Sequence, residues 1–166
     1  IAAAHTARLL GNHYEIPTIL VRNSLVIGAH PLMTQLYPGS ALPYCAAQAL
    51  KHEPMEIPED GNQLRDMVTI TDLGAAYRQL ICETRPVCTA VNVCGSAMSL
   101  TQLGETICRI AHVPFQPVYA AALHPWRSRH WIMSREKITR EFGWHPLQTI
   151  EDGVEEYVAL ARTLLS

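Results

Sequence analysis

The sequence predicts an α/β fold, and three features of its hydrophobic pattern support this prediction. Short apolar runs typical of strands alternate with segments of helical periodicity along the 166 residues. One run, Thr18–Arg22, is continuously apolar from Ile19 to Val21, as in a strand covered on both faces of a parallel sheet. The last segment repeats apolar residues at helical spacing from Ile150 onward. The length suits one ordinary domain with a hydrophobic core.

The first half of the chain begins with an alanine-rich segment that has no Gly or Pro before Gly11 and therefore predicts a helix. Gly, Pro and Asn residues after Arg22 predict a long loop, and loops of that length are usually functional or mobile. The predicted elements are, in order, a helix over 1–13, a strand over 18–22, a loop over 23–40, a helix over 41–51, and strands over 55–57 and 67–70.

The second half contains two helix starts with capping signals. Thr71 is the predicted N-cap of a helix ending near residue 83. Ser99, with Gln102 three residues later, predicts a capping box and a helix to about residue 111. The other predicted elements are a strand over 89–93, an extended stretch over 115–119, an irregular stretch over 120–130, a helix over 134–142 ended by Gly143, and a final helix from Thr149 with Asp152 completing its cap.

Composition excludes several classes of function. A formal net charge of -2 gives no electrostatic basis for binding nucleic acid or a membrane surface. No apolar run approaches the roughly 20 residues that span a bilayer, and the N-terminus lacks the features of a signal peptide. The five cysteines include no Cys-x-x-Cys pair, which predicts free thiols and a cytoplasmic location. The histidines match no metal-ligand spacing, so no metal site is predicted.

The stretch from Asp60 to Ala76 is the most informative part of the chain. An Asp-Gly turn leads to a lone arginine, Arg65, which precedes a short apolar strand and a helix start. A guanidinium at a strand entrance suits a phosphate or carboxylate ligand, because its planar set of donors binds such groups bidentately. The alternative is that Arg65 pairs with Asp66 or another neighbouring carboxylate, since structural ion pairs are common.

Four stretches, taken in order, resemble the extended short-chain dehydrogenase/reductases, the NAD-dependent epimerase/dehydratase family that acts on nucleotide sugars. The resemblance covers essentially the whole chain and lies in the C-terminal, substrate-binding portion of the family pattern. The stretches are the opening helix with Tyr14–Arg22, the segment Gly61–Asp72, the segment Val91–Gly95 with the helix at Ser99, and the segment Lys137–Pro146 with Thr149–Gly153.

The resemblance implies that the catalytic half of the enzyme lies upstream. The family's glycine-rich cofactor loop and its Tyr-x-x-x-Lys pair do not occur in this sequence. By the family's spacing from Tyr14, the catalytic lysine would fall just before Ile1. We therefore expect a fragment, a proteolysis product or one piece of a split enzyme. Alone, it is expected neither to turn over nor to bind NAD or NADP tightly, and its partner would be the missing N-terminal Rossmann half.

The resemblance also implies roles for particular residues. Arg65 would bind the diphosphate of a nucleotide sugar, and Arg127 or Arg129 would supply a second phosphate clamp. Asn23 and Ser24 would lie near the nicotinamide of NAD or NADP. Residues 1–30 and 66–95 would complete the Rossmann sheet, and residues 31–65 and 96–166 would form a small mixed α/β substrate-binding subdomain. Family members often form homodimers through a helix pair that includes the opening helix.

One departure from the family bears on the substrate. The family's Asn-Val-Tyr-Gly appears here as Leu25-Val26-Ile27-Gly28, so Leu25 and Ile27 replace polar residues at positions that line the substrate site. Two alternatives follow from this replacement. The chain could be a non-catalytic binding or assembly module that kept the fold, or part of an oxidoreductase for an apolar, non-sugar substrate.

Overall fold

The computed structural model describes residues 2–29, 41–83, 85, 88–120 and 129–165. The helices in these ranges are α1 (Ala2–His13), α2 (Ala41–Leu50), α3 (Ile70–Ile81), α4 (Leu100–Ala111), α5 (Glu136–Phe142) and α6 (Ile150–Leu165). The strands are β1 (Thr18–Asn23), β2 (Leu25–Ile27), β3 (Met55–Pro58), β4 (Leu64–Thr69), β5 (Cys88–Val93), β6 (Ser96–Ser99) and β7 (Pro117–Ala120). None of the helices in these ranges is long and apolar enough to cross a bilayer.

The strands form three small sheets, and parallel pairing dominates. β1 pairs with β5 in parallel, from Thr18 opposite Cys88 to Asn23 opposite Val93. β4 is the central strand of the second sheet, with β2 parallel on one side and β6 antiparallel on the other. β3 and β7 form a parallel pair. The predicted α/β class is therefore confirmed.

Most predicted elements are present, and the differences lie at strand and helix starts. The capping box at Ser99 is confirmed. The Ser99 hydroxyl accepts from the Gln102 amide, and the Gln102 side-chain oxygen accepts from the Ser99 amide. The N-cap predicted at Thr71 is wrong. Thr69 caps α3 instead, with Oγ1 accepting from the Asp72 amide at 3.1 Å. β4 begins at Leu64 rather than residue 67, which places Arg65 inside the strand.

Two short strands were not predicted. β2 lies within the loop predicted over 23–40, of which residues 30–40 fall outside the described ranges. β6 directly follows Gly95, whose amide donates to the Met67 carbonyl at 2.9 Å. A Cβ at position 95 would collide with that carbonyl oxygen, so the close approach of the two chains requires glycine. Both strands are three or four residues long and exist because β4 supplies their hydrogen-bond partners.

Two hydrophobic cores hold these layers together. The larger core lies where α2, α4 and α6 pack with β2, β3 and β4, and its fully buried members include Leu103, Ile107 and Tyr157. The smaller core joins β5 to α3 and α5. Full burial of one such side chain contributes about 1.5–3 kcal/mol. β4 contributes to both cores, Met67 to the larger and Val68 to the smaller.

A buried carboxylate ties α3 to the chain entering α6. The Asp72 side chain is 3% exposed and accepts hydrogen bonds from the amides of Leu147 and Gln148, both at 3.0 Å. The Thr149 cap of α6 follows at once, with Oγ1 accepting from the Asp152 amide and the Asp152 carboxylate accepting from the Thr149 amide. The predicted cap of the last helix is thus confirmed.

We expect Asp72→Ala to lower the free energy of unfolding by about 3 kcal/mol, because two backbone amides lose a buried, charged acceptor. Urea denaturation followed by circular dichroism measures this change. The control is Glu155→Ala on the exposed face of α6, which should change stability by less than about 0.5 kcal/mol. Equal effects of the two substitutions would contradict the role given to Asp72.

Candidate ligand-binding site

Residues 129–134, which we call the strap, run alongside the first half of β4. The Trp131 amide donates to the Leu64 carbonyl and the Asp66 amide donates to the Trp131 carbonyl, both at 2.9 Å. These bonds form a parallel bridge between Arg65 and Trp131. The Leu64 amide also donates to Nδ1 of His130 at 3.1 Å. The strap therefore acts as a short additional strand on β4.

The strap and β2 lie end to end along the same edge of β4. β6 pairs with the other edge over residues 64–67, and β2 begins with Leu25 opposite Met67. Trp131 lies opposite Arg65, so the two pairing positions are two residues of β4, or about 7 Å, apart. The end of β1, which leads directly into β2, is thereby brought towards the strap. The two groups of predicted site residues therefore lie near one another: Asn23 and Ser24 at the end of β1, and Arg65 and Arg129 at the strap.

Arg65 is held against the strap rather than extended into a loop. Its Nη1 donates to the carbonyl oxygens of Leu64 at 3.0 Å and of Arg129 at 2.6 Å. The guanidinium carbon lies 5.5 Å from the centroid of the Trp131 ring, a cation–π distance. Partial burial lowers the pKa of the Arg65 guanidinium below its ordinary value. Arg129 and Trp131 are exposed at the same place, so cationic and aromatic groups meet at this surface.

Asp66 bonds to the strap from the next position on β4. Its side chain is 6% exposed, and Oδ2 accepts from the Met133 amide at 3.0 Å. Successive strand residues point to opposite faces, so Arg65 and Asp66 engage the strap from different sides of the sheet. The side chains of β5 and its end add two more bonds, from Asn92 Nδ2 to the Ser134 carbonyl at 3.0 Å and from the Cys94 thiol to the Met133 carbonyl at 3.5 Å.

Asn23 and Ser24 lie at the carboxyl end of β1, beside the end of β5. The Ser24 amide donates to the Val93 carbonyl at 3.0 Å, and Asn23 Nδ2 donates to the Ser24 carbonyl at 3.1 Å. The hydroxyl oxygen of Ser24 is buried and has no hydrogen-bond partner among the described residues. Carboxyl ends of parallel strands are the usual ligand-binding edge of α/β sheets. Among the residues that the structure describes, no three His, Cys, Asp or Glu residues are grouped to hold a metal ion.

Two other residues predicted for the site, Ile27 and Leu25, belong to the larger core or pack against it. Ile27 is 0% exposed in the larger core, where it packs against Gly153, so its side chain has no surface open to a ligand. Leu25 is half-buried and packs against the same core. The apolar character of this β2 pair is therefore explained by packing. Arg127 lies outside the described residues.

Sequence reasoning missed the residues that bond to the strap. Asp66 was considered only as a possible ion-pair partner of Arg65, whereas its Oδ2 accepts from Met133. No local sequence pattern indicated the hydrogen bonds of Cys94 and Asn92 to the strap, because their partners lie about 40 residues further along the chain. Alternation along β4 was the available clue, since an Arg-Asp pair in a strand must direct its two side chains to opposite faces.

The fold and this edge of parallel strands place the chain in the Rossmann-like α/β class. A model of the NAD dependent epimerase/dehydratase family matches residues 1–94. The chain belongs to this family. It is 27% identical over 162 residues to dTDP-glucose 4,6-dehydratase of Salmonella typhimurium, with 93% of this chain and 43% of that protein covered. A Xanthomonas campestris dTDP-glucose 4,6-dehydratase is 26% identical, with 95% and 46% covered.

Solved structures share the fold over nearly the whole chain. The structure of UDP-glucose 4-epimerase with UDP-glucose from Thermotoga maritima matches with a TM-score of 0.87 at 20% identity, covering 99% of this chain and 52% of that one. The dTDP-glucose 4,6-dehydratase from Bacillus anthracis in complex with NAD matches with a TM-score of 0.82 at 24% identity, covering 98% and 50%. The chain thus spans about half the length of the relatives and structures it matches, and the predicted family is confirmed.

The environment of the cysteines predicts their reactivity. Burial and the nearby Asp66 carboxylate raise the pKa of the Cys94 thiol to about 11, and burial raises that of Cys45 to about 12. Burial also raises the pKa of Cys108, whereas Cys82 and Cys88 are exposed. Because the thiolate is the reactive form, iodoacetamide at pH 8 should label Cys82 and Cys88 first.

Peptide mass spectrometry over a time course measures this order. In urea, where the chain is unfolded, all five thiols should react at similar rates, which provides the control. Labelling of Cys94 as fast as Cys82 in the folded protein would contradict the buried position of the thiol beside Asp66.

Proposed function

We propose that this chain is the substrate-binding C-terminal part of an NAD(P)-dependent nucleotide-sugar epimerase, dehydratase or reductase. The observation that carries the proposal is the arrangement of Arg65, Arg129 and Trp131 at one surface beside the carboxyl end of β1. Family membership supports the general chemistry, and the dTDP-glucose dehydratases and the UDP-glucose epimerase that the chain resembles support nucleotide sugars as the substrate class. The catalytic Tyr-x-x-x-Lys pair and the glycine-rich cofactor loop would lie in an N-terminal half.

The chemistry of this surface suits the diphosphate of a nucleotide sugar. Arginine binds phosphate oxygens through paired N–H donors, and two guanidiniums from separate segments orient a pyrophosphate better than one. Trp131 is 54% exposed and presents an aromatic ring next to the cations. Such rings pack against the apolar faces of bases and sugars. A phosphate at Arg65 would join or replace the contacts that its guanidinium makes with the strap carbonyls.

Asn23 and Ser24 are the residues we propose to contact the cofactor. Ser24 offers a buried hydroxyl without a hydrogen-bond partner in the described structure, at the edge where α/β sheets bind ligands. Bound NAD or NADP supplies hydride transfer with the substrate. These two residues would hold and orient that group, and the strap would hold the sugar nucleotide beside it. The distance of about 7 Å between the two pairing positions on β4 supports one continuous site.

We also propose how the chain is divided between the Rossmann sheet and a substrate-binding subdomain. Residues 1–30 and 66–95 would complete the Rossmann sheet, and residues 31–65 and 96–166 would form the substrate-binding subdomain. The parallel β1–β5 pair supports the first assignment, because parallel sheets are usually larger and covered on both faces. The missing Rossmann half, homodimerisation and a cytoplasmic location belong to the same proposal.

The burial of Ile27 weakens the alternative of an apolar, non-sugar substrate. That alternative rested on apolar residues at Leu25 and Ile27, and both pack into the protein's own core. A non-catalytic binding module remains the second candidate. Its distinguishing feature would be nucleotide-sugar binding without turnover even when an N-terminal half is present.

Arg65→Ala should weaken binding of UDP-glucose or dTDP-glucose by about 10-fold or more, because a charged hydrogen bond to phosphate contributes roughly 1.5–3 kcal/mol. Arg65→Lys should retain part of the affinity, since it keeps the charge but not the planar donor geometry. Isothermal titration calorimetry measures both changes. The free energy of unfolding, measured in parallel, shows whether the variant remains folded.

Arg109→Ala is the matched control, because Arg109 lies in the last turn of α4 and pairs with Glu151 at 2.9 Å. It should leave nucleotide-sugar affinity unchanged. The diphosphate assignment fails if the protein binds a nucleotide sugar and Arg65→Ala binds it equally well.

The 166-residue chain alone should not convert nucleotide sugars, because the residues proposed for proton and hydride transfer lie outside it. Product analysis by chromatography, after incubation with NAD or NADP and several nucleotide sugars, tests this. Steady product formation without a second polypeptide would overturn the proposed division of the enzyme.

A further inference from the structure

We propose that Asp66 is a positioning residue that holds the strap in the geometry needed for nucleotide-sugar binding. This inference rests on the proposed function of the Arg65 surface. The carboxylate is buried, and its Oδ2 accepts from the Met133 amide at 3.0 Å. Met133 lies two residues after Trp131, so Asp66 fixes the end of the strap that follows the exposed ring. Asp66 itself faces away from the surface that carries Arg65.

The strap is held at two ends by adjacent residues of β4. Arg65 bonds to the carbonyl of Arg129 at the first end, and Asp66 bonds to the amide of Met133 at the other. Between them, the backbone of Trp131 pairs with β4 through two bonds of 2.9 Å. Removing either end frees part of the strap to move, and a ligand gripped by Arg129 and Trp131 then loses preorganised partners.

The two carboxylate oxygens of Asp66 differ in their hydrogen-bond partners. Oδ2 bonds to the strap, whereas Oδ1 is buried without a hydrogen-bond partner among the described residues. Only one acceptor therefore serves the strap. The Cys94 thiol lies beside this carboxylate and donates to the Met133 carbonyl, so Met133 is fixed through both its amide and its carbonyl group. An asparagine at position 66 can supply the same acceptor, and an alanine cannot.

The test compares three variants in the protein as its gene encodes it. Asp66→Ala should weaken UDP-glucose or dTDP-glucose binding by about tenfold, which corresponds to about 1.4 kcal/mol. Asp66→Asn should bind within about twofold of the natural protein, since its side-chain oxygen can accept from Met133. Asp72→Ala is the matched control, because it also removes a buried carboxylate that accepts backbone amides at 3.0 Å, but next to α6 rather than the strap.

Hydrogen exchange followed by mass spectrometry provides the readout that general destabilisation would not produce. In Asp66→Ala, peptides covering residues 129–134 should exchange faster while β4 itself keeps its protection. In Asp72→Ala, the strap should keep its protection relative to β4. If Asp66→Ala does not fold, hydrogen exchange in the natural protein provides the test. Strap amides that exchange as slowly as those of β4 support the proposal, and unprotected strap amides overturn it.

The affinity results separate this inference from the proposed function. No binding of any nucleotide sugar by the natural protein contradicts the proposed function, while the exchange data still judge the role of Asp66. Binding by the natural protein, together with unchanged affinity in Asp66→Ala, overturns the positioning role and leaves the proposed function standing. Equal losses of affinity in Asp66→Ala and Asp72→Ala also overturn it, because stability alone would then explain the effect.

Discussion

The pairing of the strap with β4 is the interaction on which the candidate site depends. Two backbone hydrogen bonds of 2.9 Å place Trp131 opposite Arg65, and the side chains of Arg65 and Asp66 then fix the two ends of the strap. On an unpaired loop, the Arg65, Arg129 and Trp131 side chains would adopt many arrangements. Pairing with β4 restricts them to one arrangement, and this preorganisation reduces the entropy lost when a ligand binds.

β4 can serve as this platform because, among the described strands, it pairs with a neighbour on each edge. β2 and β6 flank it, Met67 and Val68 anchor it in the two cores, and Thr69 at its end caps α3. The same end is tied to α6 through Asp72. The strand therefore presents its first three residues from a rigid base. Sites built on strands and helices hold their geometry better than sites built on mobile loops.

Local sequence patterns predicted what depends on local physics. The Ser99 capping box, the Thr149 cap and the helix end at Gly143 were found because each rests on bonds within a few residues. Arg65 was singled out in the same way, as a lone arginine beside a turn and a strand, and its role in binding phosphate stays a prediction. The family resemblance added the expectation of a nucleotide-sugar substrate, and the family comparison confirmed membership.

The parts that were missed depend on contacts between distant residues. β2 and β6 are too short to show a pattern and form only because β4 pairs with them. The strap meets β4 across 66 residues of chain, as the Leu64–His130 bond shows, so its partners cannot be read locally. Ile27 was assigned to the substrate site from its substitution alone, whereas its surroundings show a core residue. The polarity of one residue in the sequence does not tell whether its side chain packs in the core or contacts a ligand.

The most direct measurement is a crystal structure of the protein with UDP-glucose or dTDP-glucose bound. We expect a diphosphate oxygen within about 3 Å of the Arg65 guanidinium, the usual charged hydrogen-bond distance. We also expect the strap to remain paired with β4 and Trp131 or Arg129 to contact the ligand. A nucleotide sugar bound elsewhere, with Arg65 contacting only protein groups, would contradict the proposed diphosphate site.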